Sequence, residues 1–429
     1  MNLIEPQSDL LKIVGGTALH GTAKSSGAKN SMQFLVTAAL LTDHVVELSG
    51  LPLIQDVFAL AEILQALNCE TKLEKDQERI TLCAKKLKST HVPFDLGSRL
   101  RSTLLFVPGL LSRFGQASIP HPGGDRIGAR PLDTHFYIIH ELGGTVTSDE
   151  AGLTFTASRL KAKILNLPFP SFTGTGFAML LASTIPEVTL INNAAKEPEL
   201  IDLALLLKQM GVAIEGVGTP QIEIQGANPL GGAALRIMPD RLEAGTLLMA
   251  AMATCGSITL PREDLKHLSL LCNLLEAAGC TFLRTENEVT AQAPDRLLAQ
   301  SIKTGPYPEF PTDLQPQFMA LMTQASGRSH IRETLYTNRF RQVPYLQRMG
   351  GALEIDGQSA TVEGITHLRG TDVEAHDIRG GAALLIAALA AQGETRLRGT
   401  YHLERGHARL YEKLAALGAK VFCYDRKRC

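Results

Sequence analysis

Six times along this chain a helical stretch ends in a small-residue signal and runs into residues that read as a β-hairpin. The junctions are Leu67-Asn68-Cys69, Leu142-Gly143-Gly144, Met210-Gly211-Val212, Ala278-Gly279-Cys280, Met349-Gly350-Gly351 and Leu417-Gly418-Ala419. Their middle residues lie 75, 68, 68, 71 and 68 positions apart. A period of that size constrains the architecture more than any single motif, because each unit must solve the same packing problem in the same way. The chain reads as six copies of one supersecondary unit.

Each step of the unit has a physical basis. Ahead of a junction lies an amphipathic helix, as in Ile201 to Met210, with apolar residues at helical spacing. Glycine just past the last apolar residue takes the left-handed conformation that ends a helix. The residues beyond alternate like a strand and often turn on glycine, as in Val212 to Glu215 and then Gln221 to Ile224. Another strand precedes each helix, as in Val188 to Ile191 or Gly256 to Leu260. Strand, helix and hairpin, with further helix between units, argue an α/β or α+β fold. At 429 residues the chain exceeds what one core organises, so two domains of three units each are expected.

Charge and cysteine usage narrow the function classes. The formal net charge of −1 gives no global attraction to nucleic acid or to an anionic membrane. The stretch from Met1 to Leu11 carries Glu5 and Asp9 and has no apolar core, unlike a secretory leader. The apolar run from Ala382 to Ala391 is too short to span a bilayer. Seven cysteines without a C-x-x-C spacing fit free thiols in a reducing compartment better than a disulfide framework or a zinc site. Cys69, Cys255, Cys272 and Cys280 sit in apolar contexts and read as packing residues, whereas Cys429 ends a polar tail and reads as exposed. A cytoplasmic protein without metal or organic cofactor is expected.

The chemistry concentrates where charge interrupts glycine-rich loops. Ser25-Ser26-Gly27-Ala28-Lys29-Asn30-Ser31 runs directly into the apolar helix from Met32 to Leu41. A lysine at a helix start is electrostatically odd, since cations favour C-termini. A bound anion would resolve it; an exposed lysine in a turn is the plainer reading. The segment His121 to Asp133 holds three glycines, two prolines, two arginines and two aspartates, which suit a mobile loop that closes on an anion. A third group comprises Asp313, Arg339, Arg379 and Arg405. Arg339 and Arg405 fall at matching points of successive units, 66 residues apart. Guanidiniums gathered at one end of a domain repel unless an anion sits between them, and their forks suit carboxylate and phosphate. His135 and His402 adjoin these segments as possible supports.

These segments together resemble the UDP-N-acetylglucosamine enolpyruvyl transferase (1-carboxyvinyltransferase) family over nearly the whole chain, from Gly15 to about Lys420. The resemblance rests on Ser26 to Asn30, Gly123 to Pro131, Asn192 to Glu199, Met238 to Thr246, Phe310 to Gln315, Asn338-Arg339-Phe340 and Arg405-Gly406. It implies a two-domain inside-out α/β barrel, each domain built of three βαβαββ repeats that close over a cleft. By family analogy residues 1–28 join 239–429 in one domain, and 29–238, with the loop around 121–133, form the other. The implied reaction moves enolpyruvyl from phosphoenolpyruvate to the 3′-hydroxyl of the UDP-sugar and releases phosphate, the first committed step of peptidoglycan precursor synthesis. It proceeds through a tetrahedral intermediate by addition and elimination.

Carried over by motif, Lys29, Arg130 and Arg405 hold the phosphate, while Arg339 and Arg379 neutralise the carboxylate. Asn30 and Asp313 address the sugar, with Asp313 as base. Pro131, Asp133 and Thr134 lie by the uracil, and Ser171, Phe172 and Thr173 meet the diphosphate. Arg101 and Leu335 complete the substrate-binding set. The resemblance implies no nucleic-acid or membrane partner, and a monomer or weak homo-oligomer.

Two positions depart from the family. Most members carry cysteine, the residue fosfomycin alkylates, where this chain has Asp125; the expectation is that Asp125 serves as general acid and that fosfomycin does not inactivate the enzyme. The family's usual Glu-Asn is replaced by Gly176-Phe177, read here as drift in a helix start that makes no side-chain contact. The sharper alternative is a paralogue acting on another nucleotide or UDP-sugar. A third reading, a catalytically silent UDP-sugar-binding protein, is opposed by the presence of Lys29, Arg130, Asp313, Arg339, Arg379 and Arg405 together.

Overall fold

The computed structural model describes residues 10–125 and 127–424. Arg126 of the loop, the acidic stretch before Leu10 and Cys429 lie outside the described residues. The chain forms two compact units. The first comprises the described residues of Met1–Ser26, Asp125–Ala129 and Pro239–Cys429; the second comprises Gly27–Gly124 and Arg130–Met238. The short segment Asp125–Ala129 thus packs with the first unit, although its chain neighbours belong to the second.

All six junction residues adopt the left-handed conformation, with φ of 65° at Asn68, 93° at Gly143, 102° at Gly211, 100° at Gly279, 99° at Gly350 and 101° at Gly418. Their hydrogen bonds repeat as well. The amide of the following residue donates five residues back, as from Cys69 to Leu64, Val212 to Leu207 and Ala419 to Leu414. The junction amide donates three residues back, as from Gly211 to Lys208. This pairing satisfies carbonyls at the helix end and turns the chain sharply into the next strand.

Among the described residues the strands form six sheets, five of four strands and one of three. In unit two, Val188–Asn192 pairs in parallel with Ile164–Asn166 and antiparallel with Gln221–Gln225, which in turn pairs with Ala213–Glu215. The same order recurs in every four-stranded sheet. In the three-stranded sheet the parallel neighbour shrinks to a bridge between His91 and Ser118. One expected hairpin is not local. The strand Lys420–Tyr424 after the sixth junction pairs with Leu10–Val14, so the N-terminal strand supplies the missing arm. Local spacing could not show this, because the two paired strands lie about 400 residues apart in the chain.

Inside the sheets run helices buried on nearly every face. In unit one these are Arg241–Ala253, Gln315–Met322 and Ile378–Ala390, which pack against one another. Their small residues make the contact close: a Cβ added to Gly245 would lie 2.8 Å from Leu314 Cδ1. In unit two the equivalents are Lys29–Ala38, Phe106–Phe114 and Phe172–Ala182. Amphipathic helices such as Pro198–Gln209 lie outside them and lead to the junctions. Cys69, Cys272 and Cys280 are buried as expected, but Cys255 is exposed beyond the end of Arg241–Ala253, where the chain has already left the core.

Gly176 and Phe177 are packing residues, contrary to the expectation of a contact-free helix start. A Cβ on Gly176 would lie 2.3 Å from Cε1 of Phe34, and that ring meets Phe172 edge-on at 5.2 Å. Phe177 is fully buried and meets the His135 ring edge-on at 5.3 Å. The helix is buried from Gly174 onward, so Gly176 and Phe177 face neighbours rather than solvent. Burial, followed by the Arg101 guanidinium, pushes the His135 imidazole down to about 3 from its ordinary 6.5.

Two predictions follow from these local arrangements. In Gly211→Ala the new Cβ meets nothing nearer than Ala227 Cβ at 4.0 Å, so the loss isolates the backbone penalty. It is expected to be about 1 kcal/mol, read from urea unfolding, whereas Asn68→Gly leaves stability unchanged or raises it. For His135 the unfolded chain takes up a proton between pH 6.5 and about 3 while the folded chain does not. Its contribution is therefore complete above the unfolded value and is lost as pH falls through that window. The unfolding midpoint of His135→Leu should fall less than that of the parent between about pH 7 and about pH 4.5, provided the variant folds at neutral pH.

Candidate active site

In unit one the site grows from the starts of the inner helices. Asp313 lies in the tight turn Thr312–Leu314 that leads into Gln315–Met322. Asp377 caps Ile378–Ala390, its Oδ1 accepting from the amides of Arg379 at 3.1 Å and Gly380 at 2.9 Å. Asp240 caps Arg241–Ala253 in the same way, through the amides of Leu242 and Glu243. Three aspartates thus stand at three equivalent helix starts, where amide dipoles favour negative charge.

Three buried arginines accompany them. Arg339 donates to Asp313 Oδ1 at 2.7 Å and lies 3.6 Å from Asp377 Oδ1. It also donates from Nε and Nη2 to the Thr312 carbonyl, at 3.3 Å each. Arg379 donates to Asp313 Oδ2 at 3.1 Å, so one carboxylate bridges two guanidiniums. Burial alone would lower the Arg379 pKa, but Asp313, then Asp240 and Asp125, more than offset it and hold the group charged. Arg405, on the short helix Thr400–Gly406, donates to Asp125 Oδ1 at 2.8 Å. Asp125 Oδ2 accepts from the Ile378 amide at 3.4 Å. The converging guanidiniums are therefore already countered by carboxylates of the chain itself.

The supporting contacts are equally specific. Glu333 is buried and accepts from Thr312 Oγ1 at 2.9 Å and from the Leu335 amide at 2.9 Å. This fixes the segment bearing Leu335 against the turn bearing Asp313. The Asn338 amide donates to the Ile127 carbonyl at 3.1 Å, which seats the Asp125–Ala129 segment beside Arg339. Gly128, at φ 118°, has no room for a side chain there: a Cβ would lie 2.6 Å from Thr337 Oγ1.

Unit two presents its own group, again at helix starts. Lys29 opens Lys29–Ala38 and pairs with Asp56 Oδ2 at 2.9 Å, both side chains being largely buried. The chain's own carboxylate therefore answers the electrostatic oddity of a lysine at a helix start. Asn30 follows Lys29 in the first turn, and Ser31 Oγ donates to Asp202 Oδ2 at 2.5 Å. Arg101 Nη2 donates to the Arg130 carbonyl, and a Cβ on Gly124 would lie 3.6 Å from Arg130 Nη1. Ser171 caps Phe172–Ala182, accepting from the Gly174 amide at 3.2 Å. Thr134 lies against this turn, since a Cβ on Gly174 would lie 2.7 Å from Thr134 Cγ2. The segments Pro131–Thr134 and Ser171–Thr173 therefore adjoin, with Pro131 and Asp133 exposed.

Asp56, Glu333, Asp377 and His407 were not singled out from the sequence. Asp377 carried a usable signal, an acidic residue immediately before an apolar helix. Asp56, Glu333 and His407 become partners only through folding. A cavity of ≈ 1210 Å³ in unit two lies at the other ends of its inner helices, lined by Leu41, Arg113, Thr184 and Asn228, away from these groups. Among the described residues no group of three or more His, Cys, Asp or Glu could hold a metal ion, and no helix is long and apolar enough to cross a membrane.

With this geometry in place, comparison with known proteins is informative. Residues 13–414 match the family model for EPSP synthase (3-phosphoshikimate 1-carboxyvinyltransferase). The chain is 39% identical over 416 residues to the UDP-N-acetylglucosamine 1-carboxyvinyltransferase of Myxococcus xanthus, covering 96% of this chain and 99% of that one. It is 42% identical to the enzyme of the same name from a Caulobacter species, covering 96% of each. Its structure is similar to the enolpyruvyl transferase NikO of Streptomyces tendae, with a TM-score of 0.88 and 27% identity over 96% of this chain and 98% of that one. An EPSP synthase of Acinetobacter baumannii shares the fold at a TM-score of 0.73 and 15% identity, over 96% and 99% of the two chains. The inward helices, the aspartates and arginines at their starts, and relatives aligned from end to end lead to one conclusion: the chain belongs to the EPSP synthase family of enolpyruvyl transferases.

Proposed function

We propose that the chain transfers enolpyruvyl from phosphoenolpyruvate to the 3′-hydroxyl of UDP-N-acetylglucosamine with release of phosphate, committing the sugar to peptidoglycan precursor synthesis in the cytoplasm. The observation that carries this reading is the Asp313 carboxylate bridged by Arg339 and Arg379, with Arg405 of the same unit paired to Asp125. Such an array supplies both a proton acceptor and the fixed positive charge that a substrate with carboxylate and phosphate requires. Identity near 40% over nearly the full length to enzymes of that name supports this acceptor.

In this reading Asp313 takes the proton of the sugar hydroxyl as its oxygen attacks C2 of phosphoenolpyruvate. Asp125 delivers a proton to C3, giving the tetrahedral intermediate. Return of a C3 proton to Asp125 and departure of phosphate, which carries off the proton held on Asp313, then restore the double bond. Arg339 and Arg379 hold the carboxylate, while Lys29, Arg130 and Arg405 hold the phosphate. Asn30, Arg101 and Leu335 contribute to substrate binding. Pro131, Asp133 and Thr134 take the uracil end, and Ser171, Phe172 and Thr173 the diphosphate, through the helix-start amides. Asp125 must carry a proton at the moment of addition. The substrate phosphate competes with it for Arg405, which frees the carboxyl for that role. A monomer or weak homo-oligomer suffices for this chemistry.

The test is phosphate release by the purified protein, with phosphoenolpyruvate and a panel of acceptors. Release is expected with UDP-N-acetylglucosamine; release only with another nucleotide would reassign the acceptor. Asp125→Ala should lower kcat by roughly 10²–10⁴-fold, the range for a general acid. Fosfomycin should cause no time-dependent inactivation, because position 125 offers a carboxylate and no thiol to alkylate. Full activity in Asp125→Ala, or progressive inactivation of the parent enzyme, would remove Asp125 from the mechanism.

A further inference from the structure

The Arg379 guanidinium is held from two sides by groups of different charge. One terminal nitrogen donates to Asp313 Oδ2 at 3.1 Å, and the other lies 3.3 Å from Nε2 of His407. Arg379 and His407 are each 3% exposed. A guanidinium can only donate, so Nε2 of His407 is the acceptor and carries no proton in this contact. His407 follows directly on the helix Thr400–Gly406, its amide donating to the Leu403 carbonyl at 2.9 Å. Two residues earlier in that helix is Arg405. Gly406 packs so closely on Ile378 that a Cβ there would lie 2.2 Å from Ile378 Cγ2. The imidazole therefore stands on a short, tightly packed support between the helix bearing Arg405 and the helix bearing Arg379.

We propose that His407 is a positioning residue for the transferase reaction, fixing the direction in which Arg379 presents its charge to the substrate carboxylate. The proposal rests on the assignment of Arg379 to that carboxylate made above. A neutral acceptor suits the task. A second carboxylate at this place would orient Arg379 but also neutralise it and compete with the substrate, whereas an unprotonated imidazole orients it and leaves its charge available. The chain then links its arginines in series: Arg405 lies on the helix that ends at His407, His407 accepts from Arg379, and Arg379 shares Asp313 with Arg339.

The experiment is steady-state kinetics of the full-length chain carrying His407→Leu, His407→Gln or Arg379→Gln, with both substrates varied. Leucine fills space but cannot accept, and glutamine can accept through its amide oxygen. His407→Leu should raise the KM for phosphoenolpyruvate roughly tenfold, as expected for a lost hydrogen bond to a charged group. The KM for the acceptor sugar should stay within about twofold, and His407→Gln should recover most of the loss. An unchanged phosphoenolpyruvate KM in His407→Leu overturns the proposal. So does a fall in kcat with both KM values raised and no advantage of glutamine over leucine, which would mark a packing role. If His407→Leu does not fold, His407→Asn, too short to reach Arg379, takes its place against His407→Gln with the same expectations. Arg379→Gln separates the two levels. If it leaves the phosphoenolpyruvate KM unchanged, the Arg379 assignment fails and this proposal fails with it. If it raises that KM while the histidine variants do not, only the positioning role fails.

Discussion

A helix buried on its sides can offer polar chemistry only at its ends, and that constraint organises both units. The inner helices Arg241–Ala253 and Ile378–Ala390 are apolar and rich in small residues along nearly their whole lengths. They contribute cohesion there and nothing else. Their first turns are different, because free amides at a helix start favour anions and accept short polar side chains as caps. Asp240, Asp313 and Asp377 in one unit, and Lys29, Arg101 and Ser171 in the other, lie at or just ahead of such starts. The site residues come from far-apart stretches of chain because the threefold repeat delivers three helix starts to each unit.

Charge follows from the same arrangement. Arg339, Arg379 and Arg405 are buried, and an unpaired buried cation is strongly unfavourable. Each has a carboxylate of this chain beside it: Asp313 for the first two and Asp125 for the third. Lys29 is answered by Asp56 in the same manner. Within each unit the buried cations are thus held in place by carboxylates of the chain itself. The Arg405–Asp125 contact needs a carboxylate, since a thiol at position 125 would be a far weaker partner for a guanidinium.

Gly176 and Phe177 are expected from the sequence to make no contacts, and the interior around them decides otherwise. Position 176 must be free of a side chain because the Phe34 ring occupies the space, and Phe177 fills the space beside His135. The two changes belong to one packing solution that also includes the Phe34–Phe172 contact. A helix-start position facing solvent would tolerate drift, but this one is interior. Whether a helix start is interior depends on what covers it, which the helix's own pattern does not record.

The sequence by itself determined the repeat, the six left-handed junctions and the α/β character, because these depend on residues within one helical turn or one hairpin of each other. It also identified Asp125, Asp313, Arg339, Arg379 and Arg405 as a group, through recurrence and resemblance. What it could not determine were the partners that make those residues usable. That Leu10–Val14 completes the last sheet, that Asp56 answers Lys29, and that His407 meets Arg379 all join segments far apart in the chain or on separate elements. Such pairings are settled by which helix faces and strand edges are buried together, and only the tertiary structure decides that.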